Sequence, residues 1–97
     1  MTDEAMRRQK ADVLLECHEA EAELTRLKVE IQSRQEAIHQ FDQRLFEEIN
    51  GALNRTPITE RHKEAMNYDA NMALLEEFRQ AKIRLERATD KRTALRL

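Results

Sequence analysis

The chain has 97 residues, of which 37% are charged, with a formal net charge of −2 and a mean hydropathy of −0.83. That length allows one domain at most, and no apolar run approaches the roughly 18 residues that a membrane span requires. One glycine, Gly51, one proline, Pro57, and the aromatics Phe41, Phe46, Phe78 and Tyr68 argue against a globule with many turns, because turns draw on Gly and Pro.

The remaining composition, rich in Ala, Glu, Lys, Leu, Arg and Gln, is that of long helices. Low hydropathy also admits disorder, but the apolar residues are too regularly spaced for that. The first residues, MTDEAMRRQK, have no apolar core behind their basic side chains and do not form a signal peptide. They read as a native start, so a complete small protein is expected. Cys17 stands alone, which leaves no internal disulfide framework and makes a reduced, cytoplasmic setting the expectation.

Residues 1–12 carry little to bury and are expected as an overhang, helical or frayed. From Val13 the apolar residues step by three and four through Cys17, Ala20, Leu24, Leu27, Ile31, Ile38, Phe41 and Leu45. This is an a/d heptad pattern over about four repeats, interrupted only by Arg34. The stripe then drifts to Leu45, Ile49 and Leu53, with Phe46 beside it, as expected where a helix stops supercoiling. The first helix is predicted over about 13–50.

A turn over about 51–56 follows. Gly51 suits a left-handed residue just past a helix end. Thr56 and Pro57 suit a capping hydroxyl followed by proline at the first helical position. The second helix is predicted over about 57–95, with a stripe through Ile58, His62, Ala65, Met66, Met72 and Leu75 that settles into Leu74, Phe78, Ala81, Leu85, Ala88 and Leu95.

Two long amphipathic helices joined briefly make an antiparallel hairpin. The fold class expected is therefore all-α, a coiled-coil-like two-helix hairpin over 13–97. Facing residue numbers should add to roughly 107–110 if the chain doubles back at this turn. That register places Arg34 within reach of Glu76 and Glu77, as an ionic pair that fixes register where apolar seams could slide. Asn67 and Asn71 fall at seam positions of the second helix, where buried asparagines can pair and set oligomeric state.

Residues 79–97 hold seven basic side chains against Glu86 and Asp90, a net of +5, which alone would suggest nucleic acid. Residues 12–30 hold six acidic side chains against Arg26 and Lys28, a net of −4. The hairpin lays these segments side by side, so the basic end is expected to be answered internally by flanking charges that select pairing.

A two-helix chain of this size has a thin core. Leu14, Leu15, Met72, Leu75 and Ile83 lie off the main seams and widen the apolar surface. They are the expected contact surface for a second copy, giving a four-helix bundle, or for the helices of another protein.

Catalytic chemistry finds no support in the residues. Glu36 and His39 have the Glu-x-x-His spacing of di-iron bundles, but both fall away from the seam, whereas such ligands project into the core. His18 is adjacent in sequence to Cys17 and points elsewhere, so the two form no dyad, and Cys17 reads as a small buried apolar residue. His62 reads as a half-buried amphipathic residue. No phosphate loop, nucleophile elbow or metal-binding cysteine pair is present. The reading is a non-enzymatic adaptor, accessory or chaperone-like interaction protein with no cofactor, no metal and no catalytic residues. An RNA-binding hairpin dimer and a two-helix di-iron bundle are the alternatives from other classes.

Overall fold

The computed structural model describes residues 2–97, and every secondary-structure element among them is helical. Helix α1 is Asp3–Asn50, α2 is Glu60–Ala65 and α3 is Tyr68–Ala94. No helix is long and apolar enough to cross a membrane.

Helix α1 starts ten residues before its apolar stripe, so residues 3–12 of the stretch expected as an overhang are helical and exposed. Its start is capped locally: the Ala5 N–H donates to Thr2 Oγ1 at 3.2 Å, and Asp3 and Glu4 place negative charge in the first turn. At the other end Gly51 is left-handed (φ 65°) and the Ala52 N–H donates to Glu47 O at 3.0 Å, closing the helix as a glycine C-cap does.

The second helix differs from expectation. The connection runs to Thr59 rather than to 56, and the helix is divided in two. Thr56 caps nothing, because its N–H and hydroxyl both donate to the Glu47 carboxylate at 2.6 Å. Pro57 therefore lies in the connection. The helical start moves to Thr59, whose extended backbone (φ −126°, ψ 178°) precedes α2 and whose N–H donates to His62 Nδ1 at 3.0 Å. A second break at Met66 and Asn67 separates α2 from α3 without a glycine or proline.

Contacts divide the chain into two units: the chain up to Lys28 with Glu76–Leu97, and Val29–Leu75. In the first, α1 packs antiparallel against α3. Val13, Cys17, Ala20 and Leu27 are buried on one side, Ala81 and Ala88 on the other, with Ile83, Leu85 and Leu95 half-buried. The alanines let the backbones approach closely enough for the Cys17 thiol to donate to the Ala88 carbonyl at 3.2 Å. Lys91 Nζ meets both Glu16 carboxylate oxygens at 3.0 and 3.2 Å, so the expected charge pairing has one direct ion pair here.

In the second unit the seam changes its step. Ile31, Arg34, Ala37 and Gln40 follow at three successive intervals of three, and the inward face continues through Arg44 and Glu47. Successive steps of three fall short of the alternating three and four of a heptad seam and rotate the inward face around the helix. Ala37 is 0% exposed, whereas the heptad residue Ile38 beside it is 38% exposed.

Candidate interaction surface

Arg34 is half-buried on α1 and bonds to three groups. Its Nη1 donates to Asn71 Oδ1 at 2.9 Å and to the Glu64 carbonyl at 3.3 Å, and its Nε donates to Glu30 Oε1 at 3.3 Å. Asn71 Nδ2 in turn donates to the Ala65 carbonyl at 2.7 Å. At the end of α2 the Ala65 carbonyl is thereby satisfied by a side chain from α3, and the Glu64 carbonyl, which also accepts from the Asn67 N–H at 3.1 Å, gains a second donor from α1. The expected pairing of Arg34 with Glu76 or Glu77 is replaced by this arrangement. Glu76 instead accepts from Arg79 and Gln80, its three- and four-residue neighbours on the same helix.

The seam asparagines do not pair with each other. Asn71 pairs with Arg34, while Asn67 Oδ1 accepts from the Ala70 N–H at 3.0 Å and caps α3. His62 is buried and bonded at both ring nitrogens. Nδ1 accepts from the Thr59 N–H, so Nε2 carries the hydrogen and donates to Gln40 Oε1 at 2.7 Å.

Beside the Arg34–Asn71 bond lies an open apolar groove of about 350 Å³. Ile31, Ile38, Leu74 and Leu75 form its walls, with Arg34, Gln35 and Asn71 as its polar members. Of the expected contact residues in this unit, Leu75 lines the groove and both Leu75 and Met72 are exposed. In the other unit Leu14 and Leu15 are exposed and Ile83 is half-buried.

The end of α1 and the start of the connection carry a run of exposed apolar side chains. Leu45, Phe46 (62%), Ile49 (84%) and Leu53 (100%) stand in solvent, although Leu45 was expected in the seam. The change of stride in the sequence is the signal that these residues leave the internal face. Large exposed apolar patches mark interaction sites.

Two carboxylates are held ionised. The Thr56 hydroxyl, and then its N–H, hold the Glu47 carboxyl below its ordinary value against the opposing effect of burial. Arg26 does the same for Glu23 through a 2.8 Å hydrogen bond, opposed by burial and helped by the Arg26 and Arg84 charges. Glu36, His39 and His18 are exposed, and no group of three or more His, Cys, Asp or Glu among the described residues is placed to hold a metal ion.

No protein-family model, no curated protein and no solved structure matches the chain.

Proposed function

We propose that this is a non-enzymatic helix-interaction protein of the adaptor, accessory or chaperone-like kind. It acts by accepting helices along the apolar side of Val29–Leu75. One observation carries the reading: Ile38 and Leu45 keep the heptad spacing yet face solvent, while Ala37, Arg44 and Glu47 turn inward. A heptad row without an internal partner is half of a second seam. Helix-in-groove recognition needs such a row beside a concave apolar surface, and the Ile31–Leu75 groove supplies one.

A second copy is the simplest occupant, since an isologous contact lets one surface serve both sides and yields a four-helix bundle. The lone thiol of Cys17 suits the reducing cytoplasm. Sedimentation of the wild type and of Leu75→Asp tests the reading. Association in the wild type, lost in the variant with helix content retained, supports it. A wild type that stays monomeric at high concentration removes the dimer.

A further inference from the structure

The break between α2 and α3 lacks the residues that normally force one. Between Ile58 and Leu97 there is no glycine or proline, and Met66, the last residue of the α2 turn, sits in right-handed helical backbone (φ −86°, ψ −2°). In an unbroken helix the Glu64 and Ala65 carbonyls would accept from the N–H groups of Tyr68 and Asp69. Here the Glu64 carbonyl accepts from the Asn67 N–H at 3.1 Å and from Arg34 Nη1, the Ala65 carbonyl accepts from Asn71 Nδ2, and the Asn67 side chain caps the new start. A side chain has replaced the backbone donor at Ala65, and Arg34 adds a second bond at Glu64, whose backbone donor has shifted back from Tyr68 to Asn67. With no glycine or proline to force the break, the bonds that Arg34 and Asn71 make to these carbonyls are the contacts specific to the bent form.

The same two residues line the apolar groove. The geometry points to residues 60–67 as a strap that exchanges between a bent form, latched by Arg34 and Asn71, and a form continuous with α3, and to the latch as the means by which a docked helix fixes the bend. A helix lying over the groove excludes water from the Arg34–Asn71 bond, and hydrogen bonds strengthen when water is excluded. Docking therefore favours the bent form, and by reciprocity the bent form favours docking. The coupling rests on the docking reading above, whereas the latch itself does not.

Amide hydrogen exchange at Tyr68 and Asp69 in the full chain tests the latch. Asn71→Leu removes both bonds of Asn71, and exchange at those two amides is expected to slow by about tenfold or more as they gain helical acceptors. Tyr68→Pro puts proline at the first position of α3, which suits the bent form and forbids the continuous one. This variant should keep the wild-type helix content and association. In Asn71→Leu self-association should weaken by about fivefold or more, and adding Tyr68→Pro should restore it.

Unchanged exchange at Tyr68 and Asp69 in Asn71→Leu overturns the latch, as does loss of α3 helix content in Tyr68→Pro. Slowed exchange with undiminished association overturns the coupling. If the wild type does not associate at all, the docking reading and the coupling fail together, and the exchange comparison still decides the latch.

Discussion

Arg34 Nη1 donates to Asn71 Oδ1 at 2.9 Å, so the polar residues that interrupt the two apolar stripes satisfy each other. A guanidinium at a seam position is costly when left unpaired, because a buried donor without an acceptor keeps its full desolvation penalty. Asn71 meets that need while spending its own amide hydrogen on Ala65 O.

The pair should behave as a unit in unfolding experiments. Arg34→Met and Asn71→Ala should each cost roughly 1–2 kcal/mol, and the double variant less than their sum by about 0.5–1.5 kcal/mol. Urea denaturation of the four proteins measures this, and strictly additive costs would argue against the pairing.

Ala88 is fully buried beside Val13 and Cys17, with its carbonyl accepting from the Cys17 thiol. Ala88→Leu should therefore overpack the seam and cost about 1–3 kcal/mol. The same change at exposed Ala94 should stay within about 0.5 kcal/mol. Thermal unfolding of both variants gives the comparison, and equal costs would place Ala88 outside the seam.

Acid should unfold the Val29–Leu75 unit in part through Glu47. Its folded carboxyl titrates below the ordinary value of 4.5, so the ionised form is favoured in the folded state. The stabilisation is complete above 4.5 and is lost as pH falls through the lowered folded value. Glu47→Gln should flatten that part of the stability–pH curve and leave its neutral limb parallel to the wild type. An unaltered acid limb would mean that Thr56 does not hold the carboxylate in solution.

Gly51 has open space around a would-be Cβ, so a side chain there meets only the penalty of its left-handed backbone. Gly51→Ala should cost about 1–2 kcal/mol from conformation alone. Chemical denaturation checks it, and a neutral effect would show that the C-cap is not formed.

The sequence shows the first half of the fold well. Val13, Cys17, Ala20 and Leu27 step by heptads, and the side chains buried are those the spacing selects. After Ile31 it becomes ambiguous for a physical reason. Ala37 and Ile38 are both apolar, and intervals of three and four are equally helical, so only the facing chain decides which turns inward. That chain is the connection and α2, which present Thr56, His62 and Ala65 rather than bulky apolar side chains. Small and polar partners therefore win, and Ile38 and Leu45 are left outside. The break at Met66 and Asn67 is equally hard to read in advance, because the arginine that bonds to the Glu64 carbonyl there lies 30 residues away in sequence.

Sedimentation equilibrium across a wide concentration range, on the wild type and on Ile38→Asp with Leu75→Asp, decides whether the Ile38–Leu75 face binds a second copy. The wild type should pass from the 11.5 kDa chain to twice that mass as concentration rises. The double variant should stay at the mass of one chain with helix content preserved. Indistinguishable masses for the two proteins at every concentration would contradict it.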